Sequence, residues 1–286
     1  MKKILLLIVL GFTISAFSQN RAKLFMGANN GGDSFLLDTY TGAKVAYSLR
    51  QLKSGITGVI RVRRSNDNAE LDFTPTEITD GTLVTWVGVG NDGFITIWYD
   101  QSLNGINAIP SATTEQPLIV ISGVLSSLSG LPIIDTGFDA NERGFRLDFG
   151  GTVLRPNSFF ISINIVDISA EFFDRSPPFS SRLLIDLNSA LFRVLNPTNT
   201  TSSVNYLDTS SIGLLSVINT GSQSAINWNS DTDTVTSGSD AIGANAAINI
   251  STFKVDTKYY EYIIFDSDQT ANESAIRTNI ETYYGF

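Results

Sequence analysis

The chain has 286 residues, of which 19 are basic and 28 acidic, and it contains neither cysteine nor histidine. The lack of these two residue types excludes thiol nucleophiles, disulfides, zinc sites of the Cys/His type and a Ser-His-Asp triad. The formal net charge of −9 argues against nucleic acid and anionic membranes as partners, because an acidic surface repels phosphate groups. Carboxylates, hydroxyls, amides, aromatic rings, Lys and Arg remain for chemistry.

The N-terminal residues have the pattern of a secretory signal peptide. Lys2 and Lys3 precede an apolar run, 4–10, and a segment rich in small residues ends at Ser18. The run is shorter than the about 20 residues that a membrane-spanning helix needs. We predict a signal peptide over 1–18 and a mature chain that is secreted, periplasmic or on the cell surface, with 17 basic against 28 acidic residues and no membrane contact after export. A buried N-terminal helix is the alternative.

Three stretches have helical patterns. The first, 41–55, places apolar residues on one stripe and ends with a glycine. The second is a short segment, 79–88. The third, 270–285, begins with Thr270 and carries Glu273 three residues later, which is the spacing of a capping box. We expect this last helix on the outside of the fold.

Most of the remaining chain is predicted to form strands, since β-branched and aromatic segments alternate with Gly, Asn, Ser, Thr and Asp clusters. The polar segment 230–245 suits a long loop or a hairpin with a mobile tip. Many short strands separated by such turn-forming clusters indicate an all-β antiparallel sandwich of jelly-roll type. The composition shows no break over 19–286. We therefore predict one domain. The clearest strands are 93–99, 158–166, 181–187, 214–218 and 259–265.

The stretch IWYDQSLNGINA, 97–108, combines aromatic residues, an acid, an amide and a turn. Asp100 and Ser102 can accept hydrogen bonds from nearby backbone N–H groups, and Asn104-Gly105 is a turn signal. We predict a core strand ended by a self-bonded loop that supports a site. Direct contact with a ligand is the alternative.

Two blocks, 36–73 with the motifs AYSLR and IRVRRS, and 85–108 with WYDQSLNG, resemble the catalytic domain of the arabinofuranosidase B type. Relatives of that type carry AYSLR-L, IRVRRSSDN and WYDQSGNG. The C-terminal block, 259–285, resembles the closing strand and helix of concanavalin A-like, laminin-G-like domains. The resemblance implies a concanavalin A-like β-sandwich with a few peripheral short helices and a concave face of the kind that commonly binds glycans.

The resemblance also implies where a sugar would bind. In that family a strand ending V-D-M-E-N-N-L-F holds a substrate-binding Asp and, two residues later, the nucleophilic Glu. The corresponding stretch here, LIDLNSALF at 184–192, places Asp186 on the first position and Asn188 on the second. Asn cannot form the glycosyl ester of a retaining mechanism, so the resemblance implies that this nucleophile has been lost.

The second catalytic carboxylate has no clear counterpart either. The position of the family's acid/base Asp corresponds to the surroundings of Asn245, in AIGANAAINI at 241–250, where no acid stands. Asp240 and Asp256 are weaker candidates for that role. Because a retaining glycosidase needs two facing carboxyl groups, no catalytic residue is assigned, and Asp186, Asn188 and Asn245 are predicted to bind a ligand.

Two aromatic residues, Phe173 (with its neighbour Phe172 as the alternative) and Trp228, are candidates to stack on a sugar ring. Core packing is the alternative for both, since aromatic residues in strands usually face inward. For Asp186, the alternative is a solvated strand residue or a turn cap.

Three functions remain open from the sequence. The first is a secreted carbohydrate-binding protein without catalysis, with an arabinose-containing polysaccharide as the candidate ligand; the second is an active α-L-arabinofuranosidase or related glycoside hydrolase; the third is a structural or adhesive surface protein. We predict no cofactor. Calcium is a weak alternative, through Asp231, Asp233 and Asp240 or through Asp266 and Asp268, without the spacing of a known calcium loop.

Overall fold

A computed structural model describes part of the chain, and every element below belongs to one compact unit, Phe35–Phe286. The predicted signal peptide, 1–18, lies outside the described residues. In the strands of 171–205 and 245–248, only the backbone is described. The described residues are 34–137, 143–151, 153–165, 171–175, 182–185, 191–196, 198–205, 212–236, 245–248 and 257–286.

Strands dominate the described residues. In chain order they are β1 (Ala43–Ser48), β2 (Ile60–Arg64), β3 (Glu70–Phe73), β4 (Gly93–Trp98), β5 (Leu118–Ile121), β6 (Val124–Leu125), β7 (Ser127–Leu128), β8 (Leu131–Pro132), β9 (Ile134–Asp135), β10 (Phe145–Asp148), β11 (Asn157–Ile165), β12 (Glu171–Arg175), β13 (Arg182–Ile185), β14 (Leu191–Asn196), β15 (Thr198–Asn205), β16 (Gly213–Thr220), β17 (Gln223–Trp228), β18 (Asp231–Thr236), β19 (Asn245–Ile248) and β20 (Thr257–Phe265).

Two antiparallel sheets make up the sandwich. Within the described residues, the large sheet has the order β18-β17-β16-β11-β20-β9-β5-β4-β2-β3, with β1 also paired to β20 and β6 to β5. The second sheet has the order β10-β19-β12-β13-β14-β15, and β7 and β8 form a separate short hairpin. The predicted all-β antiparallel sandwich is confirmed.

The space between the sheets holds the larger core. Phe145 and Leu147 of β10 point into it, whereas Arg146 and Asp148 of the same strand are exposed. The Phe145 ring lies 5.5 Å from that of Trp98 on β4, so the two sheets are in direct contact. Full burial of each such side chain stabilises the fold by about 1.5–3 kcal/mol.

The helices are short and peripheral. They are α1 (Leu36–Thr39), α2 (Pro75–Thr79), α3 (Thr82–Val87) and α4 (Glu273–Tyr284), with a 3-10 turn at Thr113–Glu115. A second core cluster forms where Ile276 and Ile280 of α4 pack with Phe160 of β11 and Ile263 of β20. The central strands β11 and β20 are therefore buried on both faces. No helix in the described part of the chain is both long and apolar enough to cross a membrane.

The helix predicted over 41–55 is wrong, because Ala43–Ser48 is β1 and pairs with β20. Its apolar residues fit a helical stripe, but a short apolar run is also typical of a strand buried on both faces. Val45, Ala46 and Tyr47 are all fully buried. Pairing with a strand more than 200 residues away decided the outcome.

The helices at the other two predicted places are confirmed as α3 and α4, although the capping box expected at α4 is wrong. The Thr270 hydroxyl donates to Asp268 at 2.6 Å, and the residue before the helix, Asn272, makes no side-chain cap. The described chain has its capping box at α2 instead, where the side chains of Thr74 and Glu77 cap each other's backbone N–H groups.

Four of the five clearest predicted strands are confirmed as β4, β11, β16 and β20. The fifth, 181–187, is observed as β13 up to Ile185, and its last two residues lie outside the described part. Within the segment 230–245, residues 231–236 form β18, which pairs with β17 as a hairpin. For this first half of the segment, the structure therefore agrees with the predicted hairpin and not with a long loop.

Candidate functional site

Of the residues predicted to bind a ligand, Phe173 and Asn245 lie in the second sheet and Trp228 lies in the large sheet. Asp186 and Asn188 lie outside the described residues, between β13 and β14. Phe173 belongs to β12 and is the register partner of Leu183 on β13. Asn245 is the first residue of β19 and the register partner of Asp148 on β10.

The backbone register separates the end of β13 from Asn245. β12 lies between β13 and β19, with Phe173 opposite Leu183 and Arg175 opposite Ala246. Ile185, where β13 ends, therefore lies toward one end of the strands, whereas Asn245 lies toward the opposite end, about 17 Å away along the strand direction at 3.3 Å per residue. The sequence alone does not show this separation.

The two candidates for an acid, Asp240 and Asp256, both lie outside the described residues.

Trp228 is buried, with 5% of its surface exposed, and belongs to the core between the sheets. Its ring covers Gly213 so closely that an added Cβ at that glycine would lie 2.2 Å from the ring. This placement agrees with core packing, the alternative to sugar stacking.

The WYDQSLNG stretch forms a loop that is held by its own hydrogen bonds and is also hydrogen-bonded to β1. Asp100 Oδ1 accepts hydrogen bonds from the backbone N–H groups of Ala46 and Ser102 at 3.0 and 2.9 Å. Asp100 Oδ2 accepts from the Ser102 hydroxyl at 2.7 Å and from the backbone N–H of Ile106 at 3.2 Å. The carboxylate is only 8% exposed and uses both oxygens inside the protein.

Gln101 connects the same loop with the last residue of β1 and with the residues that follow this strand. Its Oε1 accepts from the backbone N–H of Leu52 at 2.7 Å, and its Nε2 donates to the carbonyl oxygens of Ser48 and Arg50, both at 3.0 Å. The Gln101 side chain is fully buried. The two motifs AYSLR and WYDQS thus dock onto each other, which supports the structural interpretation of the second motif.

The rest of the AYSLR motif anchors the C-terminal helix. Arg50 binds both carboxylate oxygens of Glu261 on β20, with Nε at 2.7 Å and Nη2 at 3.0 Å. The Ser48 and Tyr284 hydroxyls donate to the same carboxylate at 3.0 and 3.1 Å, and Arg50 also reaches Asn279 of α4. Glu261 is fully buried, so this ion pair is part of the core.

The arginines of IRVRRS are partly exposed on the large sheet. Arg61 forms a bidentate pair with Asp72, and Arg64 forms one with Asp67. Tyr99 donates to Asp72 at 2.7 Å. Burial, followed by the hydrogen bond to Asp72 and the negative charge of that carboxylate, raises the pKa of Tyr99 to about 12, so this phenol stays protonated.

Arg63 differs from its neighbours and was not singled out by the sequence. It donates to the neutral oxygens of Gln116 and Asn68 and lies over the ring of Phe94. The alternation of IRVRR, which sends Arg61 and Arg63 to one face of the strand, was the available signal.

The described residues contain no group of three or more acidic side chains placed to hold a metal ion. Of the acids considered for calcium, Asp268 accepts hydrogen bonds from the backbone and hydroxyl of Thr270, and Asp233 accepts one from the backbone of Thr234. Asp240 lies outside the described residues.

Comparison with known proteins gives a likeness of fold. No family model and no curated protein matches the chain. A GH54 α-L-arabinofuranosidase soaked with a cyclic sulfate inhibitor matches with a TM-score of 0.62 at 14% identity, over 87% of this chain. A mutant GH54 α-L-arabinofuranosidase soaked with 4-nitrophenyl α-L-arabinofuranoside gives the same values.

An arabinofuranosidase complexed with arabinofuranosyl-α-1,2-xylobiose matches with a TM-score of 0.61 at 12% identity. The chain spans 64% of the length of each of these enzymes. The likeness shows a shared sandwich and a distant structural relationship, which confirms the fold implied by the sequence motifs. At this identity it assigns neither a family nor an activity.

Proposed function

We propose that this chain is an exported carbohydrate-binding β-sandwich protein that lacks the carboxylate pair of a retaining glycosidase. The observation that supports it is the sandwich shared with arabinofuranosidases, one of which was solved with arabinofuranosyl-α-1,2-xylobiose. Fold alone does not carry function, so the proposal also rests on the residues that replace the family's catalytic groups. An arabinose-containing polysaccharide is the proposed ligand.

Asp186 and Asn188 are the proposed contacts with sugar hydroxyl groups. A carboxylate accepts hydrogen bonds, and a planar amide both accepts and donates them, which suits vicinal hydroxyl pairs. The amide of Asn188 has no anionic oxygen to attack an anomeric carbon, so double displacement has no nucleophile there. Asn245 lies toward the other end of the strands of the second sheet. It would therefore contact only a ligand that is several sugar units long.

An active glycosidase is the second candidate, because Asp240 and Asp256 remain as acids close in sequence to the position that corresponds to the family's acid/base residue. In that case Asp186 and one of these two acids would be the two carboxyl groups. Inactivity of Asp256→Asn beside an active Asp240→Asn would identify the acid.

Binding and hydrolysis together test the proposal. We expect the wild type to bind arabinofuranosyl-α-1,2-xylobiose in calorimetry without cleaving 4-nitrophenyl α-L-arabinofuranoside. Asp186→Ala should weaken binding by about tenfold or more, since the lost hydrogen bonds go to a charged group. Exposed Asp148→Ala, on β10 of the same sheet, is the matched control and should bind as the wild type does.

Each other outcome has a definite meaning. Hydrolysis at ordinary enzyme rates that is lost in Asp256→Asn would replace the proposal with the second candidate. Hydrolysis appearing only in Asn188→Glu would support it, because that change restores the missing carboxylate. Lack of binding to any arabinose-containing oligosaccharide would reject it in favour of a structural or adhesive surface protein.

Export is proposed separately, from the pattern of residues 1–18. Mass spectrometry of the protein recovered outside the cytoplasm should show a chain beginning at or near Gln19. A chain that still begins at Met1 would contradict cleavage.

A further inference from the structure

The loop after β4 contains an asparagine that is followed by a glycine, Asn104-Gly105. Both residues are exposed, and Gly105 has a φ of 73°, in the left-handed region. A glycine has no Cβ to hinder the approach of its backbone nitrogen to a neighbouring group. In an Asn-Gly pair that nitrogen can therefore reach the side-chain carbonyl carbon of the preceding asparagine more easily than in other pairs.

The side-chain amide of Asn104 fastens this loop to the start of β1. Its Nδ2 donates to the carbonyl oxygens of Ala43 and Lys44 at 2.9 and 3.0 Å, and to the Ser102 hydroxyl at 3.1 Å. The two carbonyl groups lie 61 and 60 positions earlier in the sequence. All three contacts need a donor at position 104, and an aspartate carboxylate has no proton to donate.

A carboxylate already lies close to this amide in the hydrogen-bond network. The Ser102 hydroxyl, which accepts from Asn104, donates to Asp100 Oδ2 at 2.7 Å. A negative charge at position 104 would face two carbonyl oxygens and would be separated from the Asp100 carboxylate by one hydroxyl group. Since like charges and dipoles at such distances repel, an aspartate there disfavours the closed loop.

We propose that Asn104 is a site of spontaneous deamidation, and that the closed loop suppresses the reaction until the loop opens. The backbone nitrogen of Gly105 attacks Cγ of Asn104 and loses its proton to water. A bond forms between that nitrogen and Cγ, the bond from Cγ to Nδ2 breaks, and Nδ2 leaves as ammonia. Water then opens the five-membered imide to give aspartate or isoaspartate.

The group that leaves is the group that fastens the loop. For the attack, the Asn104 side chain must turn toward the backbone of Gly105, whereas the contacts of Nδ2 hold it against β1. The reaction therefore proceeds from the molecules in which this loop is locally open. After the reaction, the donor that closed the loop is gone, so each opening that leads to deamidation weakens the junction between the AYSLR and WYDQS motifs.

This inference goes beyond the proposed carbohydrate binding and does not depend on it, because it uses none of the residues near Asp186. The test is peptide mapping by mass spectrometry after the protein has been incubated, folded or in urea, at the same mildly alkaline pH. We expect deamidation at Asn104 in both samples. It should be at least about tenfold slower in the folded protein, because only the open fraction reacts.

The chain contains its own reference for the unfolded state. Asn30 is also followed by a glycine, and in urea the two asparagines should react at rates that agree within about twofold, since an unfolded chain exposes both pairs. This comparison separates the chemistry of the pair from the effect of the loop.

Ser102→Ala loosens the loop without changing the reacting pair, because it removes an acceptor of Asn104 and a donor to Asp100. Deamidation at Asn104 in this folded variant should be about tenfold faster than in the folded wild type, as expected for the loss of one or two hydrogen bonds. Its rate in urea should not change. Ser111→Ala is the matched control, since the Ser111 hydroxyl accepts from exposed Arg146 and has no printed role in the loop's contacts with β1.

The product is tested directly with Asn104→Asp, which should unfold at a lower urea concentration than the wild type. Three results would overturn the inference: equal rates at Asn104 in folded and unfolded protein, an unmodified Asn104 in urea while Asn30 reacts, and equal rates in folded Ser102→Ala and folded wild type. Thermal melting shows whether Ser102→Ala folds. If it does not, the comparison of folded with unfolded wild type decides.

Discussion

The carboxylate of Asp100 binds the backbone N–H of Ala46 at 3.0 Å, across 54 positions of sequence. This bond fastens the loop after β4 to the middle of β1, a strand that is itself paired with β20 near the end of the chain. The AYSLR and WYDQS motifs therefore stabilise one junction of the fold. Their presence in a sequence indicates this junction and says nothing about the sugar chemistry carried by other strands.

Replacing Asp100 with Asn should destabilise the protein by about 2–4 kcal/mol, because an amide cannot accept all four hydrogen bonds and points an N–H₂ group at donors. The free energy of unfolding from urea denaturation measures this. Asp148→Asn is the control: its carboxylate is exposed and accepts a bond from the backbone of Gly150, so a much smaller change is expected. Equal losses in both would contradict the role of Asp100.

Glu261→Gln should destabilise the protein by about 3–5 kcal/mol, since it leaves the buried charge of Arg50 without its partner. The matched change at an exposed pair, Asp72→Asn beside Arg61, should alter the free energy of unfolding by less than about 1 kcal/mol after solvent screening. A double-mutant cycle with Arg50→Met measures the coupling. Additive effects of the two single changes would show that the pair does not act as a unit.

Leu103 occupies a position that favours glycine. Its φ is 73°, in the left-handed region, and its side chain is 64% exposed, so no burial offsets the backbone strain. In the relatives' motif WYDQSGNG a glycine stands at this place. Leu103→Gly should raise the free energy of unfolding by about 0.5–1 kcal/mol, the strain relieved less the added entropy of the unfolded chain. Leu103→Ala keeps the Cβ and should give no gain; an equal gain would point to the exposed leucine side chain instead.

Gly213→Ala should be strongly destabilising, because the new Cβ would lie 2.2 Å from the Trp228 ring. Displacing that ring should lower the free energy of unfolding by about 1–3 kcal/mol or more and shift tryptophan fluorescence to the red. Gly151→Ala is the control, since a Cβ there meets no atom within 4 Å. Unchanged fluorescence in Gly213→Ala would contradict the packing described for Trp228.

Alkaline pH should unfold the protein through its buried tyrosines. Burial raises the pKa of Tyr47, Tyr259, Tyr260, Tyr262 and Tyr284 above the ordinary value, and that of Tyr99 to about 12. Because the folded state holds these protons more tightly, its stability is full below pH about 10 and is lost as the pH rises toward the folded-state values.

The measurement is phenolate absorbance beside far-ultraviolet circular dichroism along a base titration. The two signals should change together above pH about 11, whereas in concentrated guanidinium the tyrosines should titrate near pH 10. Absorbance that rises around pH 10 while the circular dichroism stays native would show that the phenols are accessible in the folded protein.

The sequence alone determined the fold class and most of the strands. Segments such as 158–166 and 259–265 are strongly β-branched and aromatic, and this is a local property that the chain carries wherever it folds. The loop at Asp100 could also be predicted from the sequence, because Asp100, Ser102 and Asn104-Gly105 form a recognisable local pattern.

Three features were decided only by the tertiary structure. These are the strand conformation of 43–48, the position of Asn245 toward one end of the strands of the second sheet, and the packing of Trp228 over Gly213. Each depends on which distant segment supplies the hydrogen bonds or the packing surface, and neighbours in sequence do not encode that choice. Ala43–Ser48 became a strand because β20 had backbone groups to pair with it. Asn245 came to lie opposite Asp148 because the register of β19 on β10 placed it there.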